Sequence, residues 1–372
     1  MIVMETTTIQ RFDSSVYAAR LRRAAEICRE QNLAGAVIGT GAEMAYFVGA
    51  WASTHERFSA LVIPAQGAPA LIAPKADIAD FHPEALTELG VTARGWADGE
   101  DPYALVSLPG GGTIGLGESL TSAHILALQA RFPGSPMVLA ATALRSLVMS
   151  KDAAEIAQLR DAAQAIDAVH ARVPGLLRAG RTEAEVAADL RELILREHDS
   201  VDFIIVGSGP HGANPHHSFS DRVLRAGEMV VVDIGGTYGV GYHSDCTRTY
   251  IVDGPGEEPE MYRVLREAQE AACRAVRPGV TAAQVDEAAR AIIEAAGYGA
   301  EFFHRTGHGI GLSTHEEPFI MAGNDLVIEE GMAFSVEPGI YLECDCGARI
   351  EDIVVVTAQG CERLNTQPRE LR

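Results

Sequence analysis

Hydrophobic positions in the first 140 residues alternate between helical spacing and short runs. Apolar side chains at 21, 24, 25 and 28 recur with helical spacing, so a helix is predicted over 17–31. Short apolar runs bounded by Gly or Pro predict strands at 36–38, 46–48, 59–63 and 70–73. A further strand at 113–116 and a helix ending at Arg131 follow. This part of the chain is therefore predicted to be a mixed α/β domain.

The pattern of apolar and polar residues changes near residue 150, where a long helical pattern begins, so we expect domains at 1–150 and 151–372. The second domain contains an internal repeat, since residues 177–186 resemble residues 276–285, 99 positions later. Each copy has a Gly, a Thr two residues later at a helix N-cap, and then helical apolar spacing. Two copies predict a domain of two related halves, each with a helix and a pair of strands.

The stretch from Met229 to Tyr250 predicts a β-hairpin with an acid on each arm. If the turn is centred on Gly239, Asp233 faces Asp245 and their side chains lie within about 5.5 Å. Two opposed carboxylates on a buried ribbon repel one another, and burying them without a counter-charge costs several kcal/mol. We therefore predict a cation between them.

The stretch 334–356 predicts a second hairpin, with Glu337 facing Glu351 across a midpoint at residue 344. Asp352 is expected on the opposite face of its strand, in a structural role. The two hairpins together offer four carboxylates, whose charge two divalent cations would neutralise. Oxygen-rich ligation completed by one neutral imidazole favours Mn, Co or Fe over a thiolate zinc site.

Three of the twelve histidines, His304, His308 and His315, lie close together among glycines. Their spacing cannot place them on one helical face in the manner of HExxH, so we predict a backbone that passes close to a ligand. Another Gly- and Pro-rich stretch, 207–218, carries three more histidines at 211, 216 and 217. Nothing in the local sequence decides which of these faces a site.

Composition excludes several classes of protein. A net charge of -21 argues against nucleic acid or an anionic membrane as partner. Residues 1–12 show no secretory signal, and the most apolar window, 34–52, is interrupted by Glu43 and glycines, so a cytoplasmic protein is expected. The six cysteines form no CxxC pair, and we interpret Cys344 and Cys346 as ordinary loop residues.

The chemistry-bearing stretches resemble those of a known family. VVVDIGG, HSDCTRT, TGHGIGLSTHEEP, VEPGIY and RIED, all within 207–352, are similar to the metallopeptidases of the pita-bread fold, in the Xaa-Pro dipeptidase (prolidase) and aminopeptidase P branch. LRRAAEICREQNLAGAVI, AYFVGAW and LRSLVMSKDAAEIAQLRDA resemble the family's creatinase-like N-terminal domain and its junction. The resemblance implies an α/β (α+β) protein, with a mixed-sheet N-terminal domain and a C-terminal pita-bread domain of pseudo-two-fold symmetry.

The resemblance also implies roles for individual residues. Asp245 and Glu351 would bridge two divalent metal ions, Mn in the first place with Co or Zn as alternatives. Asp233 would chelate one ion, and His308 with Glu337 would hold the other. The interval from Asp233 to Asp245 is one residue longer than the commonest family spacing, and the extra residue falls in the turn.

In the implied reaction, Glu337 accepts the proton of the attacking water and passes it to the leaving nitrogen. His216 and His315 stabilise the oxyanion and position the substrate. His304 and His315 match the two histidines that flank the ligand histidine in the family, and Arg349 matches the arginine just before the last glutamate.

We therefore expect a dinuclear-metal hydrolase that cleaves the Xaa-Pro bond of dipeptides. Aminopeptidase P, which acts on longer peptides with proline second, is the alternative within the class, and a non-catalytic peptide-binding module is the alternative outside it. Creatinase shares the fold but works without metal, and the intact ligand set argues against it. A homodimer, formed through the N-terminal domain and sending the loop 51–57 toward the partner's site, is implied by the resemblance alone.

Overall fold

The computed structural model describes residues 10–52, 55–254 and 256–372, and the chain divides into two compact units, 1–148 and 149–372. The division lies two residues before the position expected from the sequence. Two stretches used in the sequence analysis lie partly outside the described residues. These are 1–9 of the N-terminal stretch 1–12, where no secretory signal is predicted, and 53–54 of the loop 51–57. No helix in the described ranges is long and apolar enough to cross a membrane.

The first unit is built on a six-stranded mixed sheet. Its strands are β1 (Leu33–Ile38), β2 (Ala60–Pro64), β3 (Ala70–Pro74), β4 (Thr92–Trp96), β5 (Thr113–Leu116) and β6 (Met137–Leu139), in the order β4-β3-β2-β1-β5-β6. The strand β2 pairs antiparallel with β1 and β3, and the other pairs are parallel. The helices are α1 (Ser14–Glu30), α2 (Ala42–Val48), α3 (Pro83–Glu88), α4 (Ser122–Arg131) and α5 (Ala140–Met149).

Most elements predicted for this unit are confirmed, but the strand predicted at 46–48 is wrong. Those residues form the last turn of α2, which ends at Gly49 in a left-handed conformation (φ 66°). Residues 44–48 are all buried, so the helix has no polar stripe there to reveal its period. A short, fully buried helix and a buried strand cannot be distinguished by periodicity.

The second unit holds five helices and three small sheets among its described residues. The helices are α6 (Ala153–His170), α7 (Val173–Leu176), α8 (Glu183–Glu197), α9 (Glu260–Ala275) and α10 (Ala282–Ala295). One sheet has the order β10-β8-β7, with β9 beside β8, from β7 (Ser200–Ser208), β8 (Met229–Tyr238), β9 (Tyr242–His243) and β10 (Cys246–Ile251). The next has the order β12-β11-β13-β16-β17, from β11 (Gly307–Gly309), β12 (Glu316–Ile320), β13 (Ala333–Val336), β16 (Asp352–Thr357) and β17 (Gly360–Arg363). The strands β14 (Gly339–Leu342) and β15 (Cys346–Arg349) form a separate ribbon.

The internal repeat has matching structures in its two copies. Thr182 caps α8 and Thr281 caps α10, each with a reciprocal capping box. Gly180 and Gly279 adopt positive φ values of 92° and 90°. The two threonines also bridge equivalent backbone positions, at residues 223 and 327. The second unit is therefore built from two related halves, as the repeat predicted.

The first hairpin has a different register from the one predicted. Asp233 on β8 faces Thr247 on β10, and Thr237 faces His243 on β9. The turn is thus centred on Val240, between Gly239 and Gly241, both of which have positive φ. Asp245 does not face Asp233 but lies two positions before the residue that does. Because side chains alternate along a strand, this diagonal offset leaves the two acids on one face.

The second hairpin has the predicted register. Val336 faces Asp352, and Gly339 faces Arg349, so the midpoint is residue 344. Glu337 and Glu351 occupy matching positions between these two ladders.

Candidate metal centre

The predicted acids converge with one histidine in the second unit. Asp245, His308 and Glu351 each offer a ligand atom, and these atoms lie within 4.8 Å of one another. His308 Nε2 lies 3.2 Å from Glu337 Oε1 and 3.7 Å from Asp245 Oδ2. Asp233 is the fourth acid of this group, which we call the acid cluster together with His308. Glu337 is its most accessible member, with a side chain that is 15% exposed.

Burial and mutual repulsion control the charge of the cluster. The pKa of Asp245 is raised well above its usual range, first by burial and then by the charge of Glu351. The pKa of Glu351 is raised in the same way, by burial and by Glu337. The pKa of Asp233 is also raised by burial, which the charge of Arg349 partly offsets. Without a cation, these carboxylates cannot all be ionised at low cost.

Glu337 behaves differently from the other acids. Burial acts to raise its pKa, but hydrogen bonding and charge from His308 outweigh burial and lower the pKa to about 2. Ser335 Oγ donates to Glu337 Oε1 at 2.9 Å, and it also accepts the backbone N–H of His308. One serine therefore holds the acid and the histidine together.

Within the acid cluster, two buried carboxylate oxygens have no hydrogen-bond partner among the described residues, Asp233 Oδ1 and Glu351 Oε1. Buried polar atoms are normally satisfied, so each such exception requires an explanation. His308 Nδ1 lies 3.1 Å from the carbonyl oxygen of Gly309, so a proton held on Nδ1 leaves a lone pair on Nε2 once a cation displaces the Nε2 proton that Glu337 otherwise accepts. Lone pairs of oxygen and nitrogen that converge in a buried space fit a cation, so the donor set suits a divalent metal ion.

Arg349 joins the cluster to its surroundings. Its Nη2 donates to Asp233 Oδ2 at 2.6 Å, and its Nη1 donates to the Tyr341 hydroxyl at 2.8 Å. His304 Nε2 lies 2.9 Å from the same hydroxyl. The predicted pair His304 and Arg349 is thus brought together through Tyr341, whose pKa burial raises to about 12.

The other histidines, two predicted for the site and two left undecided by the sequence, form two groups. The His315 ring lies 4.0 Å from the His308 ring, and its pKa is lowered to about 4 by burial and by His308. His216 is exposed, close enough to affect the titration of His304 and His315. His211 and His217 instead both contact Glu183.

Sequence reasoning missed the hydroxyl groups that support the acids. Thr247 Oγ1 donates to Glu351 Oε2 at 2.8 Å and accepts from Arg349 Nε at 3.1 Å. Ser335 and Tyr341 are the other two. The signal was strand alternation, because Thr247 lies two residues after Asp245 and so shares its face. Asp352 belongs to another network, as predicted, and contacts Arg248, Gln269 and Arg369.

Comparison with known proteins places this arrangement in a family. The pattern of metallopeptidase family M24 matches residues 157–358, and that of the creatinase/prolidase N-terminal domain matches residues 20–148. The chain therefore belongs to metallopeptidase family M24, with the creatinase-like and pita-bread domains that the resemblance implied. It is a metal-dependent peptidase.

Relatives match over nearly the whole chain. A probable dipeptidase PepE of Mycobacterium tuberculosis (strain ATCC 25618 / H37Rv) is 53% identical, over 97% of this chain and 98% of its own. The crystal structure of dipeptidase PepE from Mycobacterium ulcerans superposes with a TM-score of 0.93 at 52% identity, over 97% of this chain and 98% of that one. An Xaa-Pro dipeptidase of Lactobacillus helveticus is 35% identical, over 91% of this chain and 94% of its own.

Proposed function

We propose that this peptidase is an Xaa-Pro dipeptidase that works with two divalent metal ions, Mn²⁺ in the first place and Co²⁺ or Zn²⁺ as alternatives. The observation that carries the proposal is the acid cluster, in which unpartnered carboxylate oxygens and the Nε2 lone pair of His308 converge. Four carboxylates match the charge of two divalent ions, and three of the four have pKa values raised in their absence. The relative named Xaa-Pro dipeptidase supports the choice of substrate.

The ligands in this proposal are Asp233, Asp245, His308, Glu337 and Glu351. Divalent ions held by these residues would lower the pKa of the attacking water and would polarise the scissile carbonyl. Arg349 keeps Asp233 oriented and compensates its charge through their 2.6 Å hydrogen bond.

Side chains of the protein then transfer the proton and stabilise the oxyanion of the substrate. Glu337, the most accessible acid of the cluster, accepts the proton of the attacking water. It delivers that proton to the proline nitrogen, which carries no hydrogen in an Xaa-Pro bond and leaves as a secondary amine. His315, with a pKa of about 4, is neutral and presents an N–H to the developing oxyanion.

His216 and His304 complete the substrate-binding groups of the proposal. The carbonyl oxygen of Pro215, next to His216, accepts from Arg349 Nη1 at 3.3 Å, so the loop carrying His216 is tied to the cluster. His304 is fixed between the Arg305 carbonyl at 2.7 Å and the Tyr341 hydroxyl at 2.9 Å.

The substrate assignment is tested by comparing turnover of Ala-Pro with that of Ala-Pro-Ala in Mn²⁺. We expect rapid cleavage of the dipeptide and slower cleavage of the tripeptide. Rapid cleavage of the tripeptide with none of the dipeptide would instead assign aminopeptidase P activity. No cleavage of either, with no transition metal retained after reconstitution, would assign a non-catalytic peptide-binding module.

We also propose a cytoplasmic homodimer, supported by the family resemblance. Equilibrium sedimentation of the full chain and fractionation of the source cells test these two points separately.

A further inference from the structure

Three potential ligand atoms converge outside the acid cluster, on Glu183, His211 and His217. His217 Nε2 lies 2.9 Å from Glu183 Oε2, and His211 Nδ1 lies 3.1 Å from both carboxylate oxygens. Ligand atoms of the three residues lie within 4.8 Å of one another, and the imidazole rings are 4.3 Å apart. We propose that these residues form a second divalent-cation site, selective for borderline transition metals such as Zn²⁺.

The carboxylate of this site is buried and ionised. Burial acts to raise the pKa of Glu183, but hydrogen bonds from Ser208, His217 and Ser220 outweigh burial and lower it to about 2. The nearby Arg222 guanidinium is paired with Glu228 through two 2.7 Å hydrogen bonds. The charge of Arg222 is therefore shared between Glu228 and Glu183, and a cation bound by the two imidazoles would meet a carboxylate that is already ionised.

Hydrogen bonds from two serines fix the orientation of the Glu183 carboxylate, as such bonds do for a residue that binds a metal ion. Ser208 donates to Oε1 through its backbone N–H at 2.9 Å and through its hydroxyl at 2.6 Å. Ser220 Oγ donates to Oε2 at 2.7 Å. Such contacts fix the direction of a ligating carboxylate and are characteristic of built metal sites.

The two histidines give the site its selectivity and its access. Two imidazoles and one carboxylate match the ligand set of three-residue zinc sites, which keep a position open for water. This set is richer in nitrogen than the acid cluster, where His308 is the single imidazole, so the two sites differ in metal preference. The side chains of His211 and His217 are 36% and 18% exposed, so an ion can enter from solvent.

A cation at this site would cross-link the start of α8 to both ends of the loop 209–217. That loop carries His216, so the site would stabilise the position of a substrate-binding group. This last consequence rests on the proposed function, whereas the existence of the site does not.

A matched double variant separates a cation site from a hydrogen-bonded cluster. In His211→Asn the amide nitrogen takes the place of Nδ1, and in His217→Gln it takes the place of Nε2, so both donors to Glu183 are kept while both imidazole ligands are lost. We expect native mass spectrometry of the full chain in Zn²⁺ to count one more ion per chain for the wild type than for the double variant. An anomalous difference peak between the three side chains of a Zn²⁺-soaked wild-type crystal is the second readout.

The control is His243→Asn, because His243 Nδ1 lies 2.6 Å from Asp202 Oδ2 and the amide nitrogen of Asn takes the place of Nδ1 there. This variant should keep the full wild-type ion count. Equal counts for the wild type and the double variant, or no anomalous peak, would overturn the proposal and leave a hydrogen-bonded cluster. If the double variant does not fold, the crystal decides alone. Ion counting is independent of Ala-Pro turnover, so failure of the proposed peptidase function would not affect this result.

Discussion

The Thr247 hydroxyl donates to Glu351 Oε2 at 2.8 Å and so links the first hairpin to the second. It also faces Asp233 across the first hairpin and accepts from Arg349.

Thr247→Val keeps the shape of the side chain but removes the hydroxyl. Because contacts that orient metal ligands typically contribute 10- to 100-fold in affinity, we expect about that loss in Mn²⁺ affinity. Titration with Mn²⁺ measures it, and Thr247→Ser should restore most of the affinity. Unchanged affinity in Thr247→Val would show that Glu351 needs no such support.

Alanine substitutions of the adjacent acids Glu351 and Asp352 should have different effects, one on metal binding and the other on stability. Glu351→Ala removes a proposed ligand and one of the four negative charges that would neutralise the ions, so we expect loss of bound metal and activity; the relief of charge repulsion should keep the fold. Elemental analysis and circular dichroism of the same sample check both parts. Normal turnover in this variant would contradict the assignment of Glu351 as a ligand.

Asp352→Ala is the matched comparison. Asp352 accepts from Arg248 at 2.7 Å and from Gln269 at 2.8 Å in a buried network. Its removal leaves the Arg248 charge buried with reduced compensation, which costs roughly 3–5 kcal/mol of unfolding free energy. Urea unfolding should show this loss while the folded protein still binds metal. A stable variant lacking metal would mean that Asp352 belongs to the acid cluster.

His170 predicts a pH dependence of stability. It is fully buried, with Nδ1 2.9 Å from the Tyr250 hydroxyl and Nε2 2.9 Å from the Cys246 carbonyl oxygen, and burial lowers its pKa from 6.5 to about 3. The folded chain therefore keeps His170 neutral at a pH where the unfolded chain protonates it. Its contribution is complete above pH 6.5 and is lost as the pH falls toward 3, at about 1.4 kcal/mol per pH unit.

The measurement is the unfolding free energy of the wild type and of His170→Gln at about pH 7 and pH 5. The wild type should lose about 2 kcal/mol more than the variant over this interval. Parallel losses in the two proteins would place the acid sensitivity on other groups.

The two capping threonines should contribute equally to stability. Thr182 Oγ1 accepts from Glu185 N at 3.1 Å, and Thr281 Oγ1 accepts from Gln284 N at 3.2 Å. We expect Thr182→Ala and Thr281→Ala each to cost about 1 kcal/mol in chemical unfolding, and the serine variants to cost little. A cost at one position alone would show that the two halves do not depend on their caps in the same way.

The convergence of the acids with His308 could be predicted from the sequence because each lies in a short motif of distinctive residue types, and their roles as metal ligands stay predictions. The prediction that Glu337 and Glu351 face each other is confirmed, because the second hairpin turns about residue 344 as expected. The facing of Asp233 and Asp245 was wrong, because two glycines flank Val240 and either could have marked the turn. Burial also hid the helical period of residues 46–48.

Long-range partners could not be predicted in the same way. Glu183 precedes His211 by 28 residues, and no local pattern indicates that a helix start and a loop will meet. Thr247 and Glu351 are 104 residues apart, so their contact depends on how the two hairpins pack.

The matched caps of α8 and α10 tolerate different side chains at one repeated position. The residue after each capping threonine begins its helix with the same backbone hydrogen bonding, yet it is Glu183 in one copy and Ala282 in the other. Glu183 N–H donates to the Arg222 carbonyl oxygen, and Ala282 N–H donates to that of Leu326. A repeated scaffold that holds either a buried acid or a methyl group at this position can carry polar chemistry in one half with the same helix start in both.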